Sequence, residues 1–355
     1  MAINIKNNVS KTDENHRSVE FTVSFNEMEK LFEKNLGEFR KQVSMKGFRP
    51  GQIPKQLFVS RFGDEVWRET VGNLVEHELK NEFEKIVETW KTDEKLEIAA
   101  PAEAGEFSAE RDQDLVYKLN IALNKPISVQ GYKDLGISVA ATVVAEEEIN
   151  DVIKEVRERF AKESEVPPTD EEFYSIVGAK DEADLKSKVT DDVLRDKKYK
   201  ARLAALKDAF DRLIEKNPFP VLEEQIKYTA ERSLKHHHHS HHHHHDHEED
   251  EEEITVSEEQ LNEMRPEITR AIQEDRILRA IVEQEALKPT QAQVDARVEE
   301  IANSAGMPFA SAKDTMRKTG QINRIREALK LELAQNLLIG ETLPERQNEA
   351  STEKT

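Results

Sequence analysis

The chain has 355 residues, of which 37% are hydrophobic and 35% are charged, and its net charge at pH 7 is −20. This length predicts two or so domains, and so much charge suits long amphipathic helices better than a compact α/β enzyme with a thick buried sheet. The negative field argues against general nucleic-acid binding, because it repels phosphate. With no cysteine, disulfide and thiol chemistry are excluded. The chain shows no apolar signal region and no run of about 18 apolar residues, so we expect a cytoplasmic protein without membrane contact.

The first part of the chain, residues 1–126, has the pattern of an α+β domain in which a sheet is covered by helices. Apolar and polar residues alternate over residues 19–25 and 115–123, which predicts two strands. Between these strands, apolar residues recur at spacings of three and four, which predicts two helices. The first helix is expected to begin at an N-cap formed by Asn26, with Glu29 three residues further on.

The two helices are separated by residues 47–54, which contain two glycines and two prolines. Proline fixes φ and lacks a donor, and glycine opens positive φ, so this segment cannot continue a helix and forms a stiff tip. The tip carries an apolar Phe48 beside the cation Arg49, and Lys46 and Lys55 lie close by in sequence. A rigid basic tip with one apolar anchor suits a partner that mixes RNA phosphate with protein surface.

This segment resembles the ribosome-docking signature of trigger factor, the bacterial chaperone that meets nascent chains at the ribosomal exit tunnel. The residues that match that signature are Gly47, Phe48, Arg49, Gly51 and Pro54. Pro50 is an accepted variant, and Gln52 replaces a customary lysine, which removes one cation. An ordinary turn between two helices is the alternative interpretation. The resemblance implies that the large ribosomal subunit, through protein and rRNA near the tunnel exit, is bound by Lys46, Gly47, Phe48, Arg49, Pro50, Gly51 and Lys55.

The second part of the chain, residues 127–345, is predicted to be an elongated, mostly α-helical domain, followed by a disordered tail at 346–355. A β-rich run at residues 137–144 and a helix through Ile149 and Phe160 come first. In most trigger factors a prolyl-isomerase domain resembling the FK506-binding fold is inserted about here. Only six residues separate this helix from Pro167, whereas a domain needs at least about 50. We therefore expect a family member without that domain and without enzymatic activity.

The pattern after Pro168 is helical almost throughout. A capping pair, Thr169 and Glu172, opens one helix, and the residues Asn217-Pro218-Phe219-Pro220 stop a long one that passes through Leu213. Later helices are predicted over residues 221–234, from Ser257, from Thr290 and over residues 322–339.

A histidine tract places ten histidines in the twelve positions 236–247, and six acidic residues follow at 248–253. These histidines are His236, His237, His238, His239, His241, His242, His243, His244, His245 and His247. Imidazole ligates Ni²⁺ and Zn²⁺, but this spacing is not that of a structural zinc site. We expect residues 236–253 to form a disordered loop that binds Ni²⁺ or Zn²⁺ weakly at several positions. An engineered tag and a solvated loop without a biological metal are the alternatives.

The function implied by the resemblance is that of an ATP-independent, ribosome-associated chaperone that shields nascent and unfolded polypeptides. No cofactor is required for such shielding, and a homodimer away from the ribosome is a further expectation. Two alternatives from other classes are a peptidyl-prolyl isomerase and a metal-handling protein that uses the histidine tract.

Overall fold

The computed structural model describes residues 3–49, 51–163, 169–241 and 256–343, and of residues 236–241 it describes the backbone alone. The chain divides into two compact units. The first unit combines Met1–Pro126 with Pro220–Ile272, and the second combines Ile127–Phe219 with Gln273–Thr355. Both units are therefore discontinuous in sequence, whereas the predicted domain division is linear.

The secondary structure is a small antiparallel sheet and a long series of helices. The strands are β1 Ile5–Lys11, β2 His16–Val23, β3 Glu97–Ile98, β4 Glu103–Ser108 and β5 Leu115–Asn124. The helices are α1 Phe25–Gln42, α2 Lys55–Asn73, α3 Lys80–Asp93, α4 Glu146–Glu163, α5 Asp170–Ile176, α6 Glu182–Lys216, α7 Glu223–His241, α8 Glu258–Gln284, α9 Gln291–Ser304, α10 Phe309–Lys318 and α11 Gln321–Ile339. A π-helical segment, Leu74–Leu79, joins α2 to α3. The predicted fold class, an α+β part and a mostly helical part, is confirmed.

The sheet of the first unit has the strand order β1-β2-β5-β3, and β4 also pairs with β5. The two strands predicted from alternation are its central pair, with Val19 opposite Leu119 and Phe21 opposite Tyr117. Apolar residues of these strands and of α1–α3 form one buried core. Its fully buried members include Phe21, Met28, Ile53, Phe58, Leu79, Leu115 and Ile121. The helices therefore cover the sheet as the sequence predicts.

The predicted N-cap of the first helix is wrong. Helix α1 begins at Phe25, and its N-cap is Ser24 rather than Asn26. The carboxylate of Asp114 accepts a hydrogen bond of 2.8 Å from the Phe25 N–H. A residue 89 positions away thus satisfies one of the free N–H groups of the first turn, and a local capping pair at Asn26 and Glu29 is not needed.

Helices α7 and α8 enclose a smaller apolar cluster in the first unit, which includes Ile226, Ala230, Ile268 and Ile272. The helix predicted from Ser257 is present, and at its start the Gln260 N–H donates to the Ser257 hydroxyl. Helix α7 continues to His241, so the backbone of the first six tract residues is helical and not part of a loop as expected. Adding a residue to an existing helix costs little. The remaining tract residues, from 242, lie outside the described residues.

The second unit is helical, and its main core lies between α6, the end of α8 and α11. Capping boxes at Thr169 and Thr290 open α5 and α9, and Gly340, at φ 72°, closes α11. These boundaries confirm the helix starts and stops read from the sequence. Helix α10 was not predicted, although Ala312 and Met316 give it a buried face.

The β-rich run predicted at residues 137–144 forms no strand. Ile137 and Val139 pack against the helical core of the second unit, and no neighbouring strand of the described chain pairs with this segment. Alternation of apolar residues therefore reflects contact with helices here, not membership of a sheet. Among the described helices, none is long and apolar enough to cross a membrane.

Candidate docking site

The tip, residues 47–54, and the preceding residues 43–46 connect α1 to α2 through two successive turns; Pro50 lies outside the described residues. The Phe48 N–H donates to the Met45 carbonyl at 2.9 Å, and the Gln52 N–H donates to the Arg49 carbonyl at 3.0 Å. The third residue of each turn is a glycine with positive φ, 94° at Gly47 and 80° at Gly51. Such a conformation is strained for other L-residues, so the two glycines fix the course of the tip.

Several contacts hold the tip against the sheet-bearing core. The Gly51 N–H donates to the Arg40 carbonyl at 3.0 Å, which satisfies one of the last carbonyls of α1. The side chain of Ile53 is 1% exposed and belongs to the core. Below the tip, the ring of Phe39 contacts the rings of Phe58 and Phe62 at centroid distances of 6.1 and 6.3 Å. The tip is therefore a rigid extension of the core.

The side chains that point away from this frame combine apolar and cationic groups. Phe48 is 38% exposed, and Lys46 and Arg49 are exposed with no side-chain partner among the described residues. Leu57, in the first turn of α2, is 42% exposed. The sequence alone does not set Leu57 apart from the buried apolar residues of α2, and only the structure shows that it is exposed, next to the tip in sequence.

The predicted residues have unequal surroundings. Lys55 is not a free cation, because its ammonium group lies 2.6 Å from the carboxylate of Glu33 on α1. An exposed ion pair of this kind is worth little and can exchange for another anion. Gly47 and Gly51 shape the backbone and carry no side chain to a partner. Phe48, Arg49 and Lys46 are thus the groups most able to bind a surface of phosphates and apolar protein.

A separate polar cluster in the first unit joins the β1–β2 turn to α7. The His16 ring lies 2.8 Å from the Asp13 carboxylate through Nδ1 and 3.1 Å from that of Glu224 through Nε2. Burial lowers the pKa of His16, but the hydrogen bonds with Asp13 and Glu224 outweigh burial and raise this pKa above its ordinary value. Hydrogen bonds from the Asn15 N–H and from His16 lower the pKa of Asp13.

The predicted metal ligands of the histidine tract cannot be placed in this structure. Residues 242–255 lie outside the described residues, and of residues 236–241 only the backbone is described. In the described part of the chain, no group of three or more histidine, aspartate or glutamate side chains could hold a metal ion.

Two family models match most of the chain. The family described as bacterial trigger factor protein (TF) matches residues 5–156, and the model of its C-terminus matches residues 183–340. The chain belongs to the trigger factor family.

Named relatives and a solved structure agree with this assignment. A trigger factor of Francisella tularensis subsp. novicida is 25% identical over 177 residues, which cover 49% of this chain and 38% of that protein. A trigger factor of Streptococcus agalactiae serotype Ia is 26% identical over 172 residues, 47% of this chain and 39% of that protein. The chain thus matches about two-fifths of the length of these relatives. A solved structure, described as concerning promiscuous substrate recognition in the folding and assembly activities of the trigger factor chaperone, superposes on this chain with a TM-score of 0.53 and 14% sequence identity. The superposition covers 93% of this chain and 99% of that one, which shows a common fold.

The region between the two matched ranges is short for a trigger factor that carries an inserted domain. Residues 157–182 lie between the matches, and helices α4 and α5 already occupy much of this range, ending at Glu163 and beginning at Asp170. A domain of at least about 50 residues has no room there.

Proposed function

We propose that this trigger factor is an ATP-independent chaperone that docks on the large ribosomal subunit near the tunnel exit and shields nascent and unfolded polypeptides. The observation that carries the proposal is the exposed Phe48–Arg49 pair on a turn that is anchored by Ile53 and by the Gly51–Arg40 hydrogen bond. Such a turn presents its side chains without first having to become ordered, which lowers the entropy cost of docking.

The tip combines two kinds of contact. The Phe48 ring offers apolar area to a ribosomal protein, and Arg49 and Lys46 offer cations to rRNA phosphate. The net charge of −20 makes a local site necessary, because the rest of the surface repels RNA. Docking in the cytoplasm would then raise the effective concentration of the chaperone at emerging chains, and weak apolar contacts would delay their aggregation.

The test is co-sedimentation of the intact chain with ribosomes. We expect the double variant Phe48→Ala/Arg49→Ala to lose co-sedimentation while its circular dichroism spectrum stays unchanged. A matched control is Val9→Ala/Lys6→Ala on β1, which also removes one exposed apolar group and one exposed cation from the first unit. This control should bind as the unchanged chain does. Undiminished binding by the tip variant would refute the docking proposal.

Salt provides a second measurement on the same chain. Binding that uses phosphate contacts weakens as the salt concentration rises. Because Gln52 stands where the docking signature that this segment resembles has a lysine, we expect this weakening to be shallower than for a Gln52→Lys variant. An equal salt dependence in the two chains would show that position 52 does not face phosphate.

We further propose that the chain has no prolyl-isomerase activity. Uncatalysed isomerisation takes on the order of 10–100 s at room temperature, so acceleration in a proline-containing peptide is easily detected. We expect none, together with suppressed aggregation of a denatured substrate in the absence of ATP. Acceleration at catalytic rates would support the isomerase alternative.

A further inference from the structure

Residues 137–144 of the second unit have the sequence of a β-strand but pair with none of the strands that the structure describes. Their sequence, Ile-Ser-Val-Ala-Ala-Thr-Val-Val, contains five β-branched aliphatic or threonine residues, the types enriched in strands. Half-buried and exposed positions alternate along the segment with one slip between Ala140 and Ala141. This period of two is that of an extended chain with one face on a support, here the helical core that Ile137 and Val139 contact.

The main chain of this segment is almost without hydrogen bonds. In the described part of the protein, the single hydrogen bond to its main chain is from the Lys197 ammonium group to the Val143 carbonyl, at 2.9 Å. No main-chain N–H of residues 137–144 donates to another described residue. Main-chain groups in folded proteins are normally paired or solvated, so the segment presents a row of donors and acceptors to its surroundings.

Apolar side chains lie beside this row. Val143 is 80% exposed. Tyr199 on α6, which lines a cavity shared with this segment, is 60% exposed. An open cavity of about 510 Å³ runs between the segment and α6. Its lining includes Val139, Ala140, Ala141, Tyr199, Arg202 and Glu341. Unpaired main chain and exposed apolar side chains are therefore side by side.

We propose that residues 137–144 are an acceptor strand to which an extended apolar segment of an unfolded polypeptide adds as a β-strand. This inference rests on the proposed chaperone function and names one site for its clients. Main-chain hydrogen bonds are indifferent to side-chain identity, whereas alternate side chains of the added strand would contact Tyr199 in the cavity. A site of this kind accepts many sequences that share only an extended, apolar character.

The sequence of the chain itself offers a poorer occupant. Residues 344–355 follow Leu343 in sequence, and Glu341 lines the cavity, so this segment is the part of the chain to test as a competitor. It contains no valine, isoleucine, leucine or aromatic residue, and strands deplete such polar sequences. An external apolar chain therefore fits the site better, and both this segment and a second copy of the protein are outcomes of the test.

The first experiment uses the unchanged protein and a fluorescent ten-residue peptide of alternating valine and threonine with a terminal lysine. Fluorescence anisotropy measures its affinity. Two matched peptides are N-methylated at alternate residues, one at the odd-numbered and the other at the even-numbered positions. Each keeps the side chains but loses the main-chain donors of one edge. We expect methylation on one of the two edges to weaken binding about tenfold or more, since several hydrogen bonds are lost. Equal affinity of both methylated peptides, or no binding of the parent peptide, would overturn the proposal.

The second experiment locates the site. Successive residues of a strand direct their N–H groups to opposite edges, so Ala140→Pro and Ala141→Pro remove a donor from opposite sides. We expect at least one of them to weaken peptide binding about tenfold, whereas Ala140→Gly and Ala141→Gly, which keep the donor, do not. Hydrogen exchange at residues 137–144 of the unchanged protein should slow when the peptide binds. Unslowed exchange would overturn the proposal even if the proline variants misfold.

Two further measurements separate the remaining explanations. Removal of residues 344–355 should leave the peptide affinity unchanged, and a tenfold increase would show that this segment is the true occupant. A dimer that the proline variants dissociate would assign the site to a second copy. The chaperone function itself fails if the unchanged chain neither co-sediments with ribosomes nor suppresses aggregation. If it suppresses aggregation but binds the methylated and parent peptides equally, only the acceptor strand is wrong.

Discussion

The tip and the acceptor strand expose opposite parts of the polypeptide. In the tip, main-chain groups are bonded inward, as in the Gly51–Arg40 contact, and the side chains of Phe48 and Arg49 face outward. In residues 137–144, Ile137 and Val139 pack inward, and among the described residues the main chain is hydrogen-bonded at the Val143 carbonyl alone. A surface made of side chains selects one partner, whereas a surface made of main chain accepts many. The proposed function requires both: specific docking on one partner, the ribosome, and binding of many different unfolded polypeptides.

The strongest test of this contrast removes the anchor of the tip. Ile53→Ala deletes a side chain that is 1% exposed, which should destabilise the first unit by about 2–5 kcal/mol because a cavity remains. We expect ribosome co-sedimentation to weaken although Phe48 and Arg49 are still present. Urea denaturation and co-sedimentation measure the two effects.

The control for this variant is Ile98→Ala, at an exposed position of the same unit. It should change stability by no more than about 0.5 kcal/mol. Full ribosome binding by an Ile53→Ala chain that is destabilised as expected would show that the tip does not need a rigid frame.

A smaller effect is expected from the backbone of the tip. Gly51 has φ 80°, and a Cβ at this position would meet no other atom, so the cost of Gly51→Ala is conformational strain alone. We expect a loss of about 1–2 kcal/mol in stability. Gly37→Ala in helix α1 is the matched control, since its Cβ also meets nothing and alanine should stabilise a helix by about 0.5–1 kcal/mol. Thermal unfolding of both variants should thus shift in opposite directions, and equal shifts would contradict the strained turn.

A still smaller effect on stability is expected from His16, which lies in the same unit as the tip but outside it. Because the pKa of His16 is raised above 6.5 in the fold, its protonated form is stabilised by Asp13 and Glu224. This stabilisation is full below about pH 6.5 and is lost as the pH rises through the folded pKa. We expect the stability difference between the unchanged chain and His16→Gln to shrink over that range, as measured by urea denaturation in a pH series. Ribosome docking at matched pH should be equal in the two chains; a pH-independent difference in stability would contradict the assigned pairing.

The smallest structural effect is expected from the histidine tract. We propose that its ten imidazoles bind Ni²⁺ or Zn²⁺ weakly and at several overlapping stoichiometries, and that binding is lost as the pH falls through the histidine range. Deletion of residues 236–253 should abolish this binding in titration calorimetry and leave folding, ribosome docking and peptide binding unchanged. A single stoichiometric site that survives the deletion, or a deleted chain that does not fold, would show that the tract is part of an integral metal centre.

The sequence pattern was sufficient to predict a helix or strand where local residues determine that element. The central strands, the long helix α6 and the capping box at Thr169 follow from alternation, apolar spacing and local hydrogen bonds. The start of α9 at Thr290 was also predicted, and the structure adds its capping box. The sequence pattern was insufficient where contacts with residues distant in sequence determine the start or the type of an element. The Asp114 carboxylate, far away in sequence, accepts a hydrogen bond from the first N–H group of α1. Residues 137–144 pack on helices, although a strand was expected there.

The tip shows the same division. Its glycines and prolines predict a turn, and the resemblance names the exposed residues, whose role in docking stays a prediction. The burial of Ile53, the exposure of Leu57 and the pairing of Lys55 with Glu33 depend on how α1 and α2 pack. No local pattern specifies these three facts.

The contacts between α7 and α8 affect how readily residues can be inserted between these two helices during evolution. Ile226 and Ala230 on one side of the histidine tract and Ile268 and Ile272 on the other form one cluster, and Arg265 adds an ion pair of 2.7 Å to Glu223. The two helices are thus held together independently of the residues that connect them. Each doubling of a flexible connection then costs only roughly 0.6 kcal/mol in closure entropy. An insertion here is therefore nearly neutral for the fold, so a histidine-rich sequence can be gained, lengthened or lost at this place with little effect on the packing of α7 against α8.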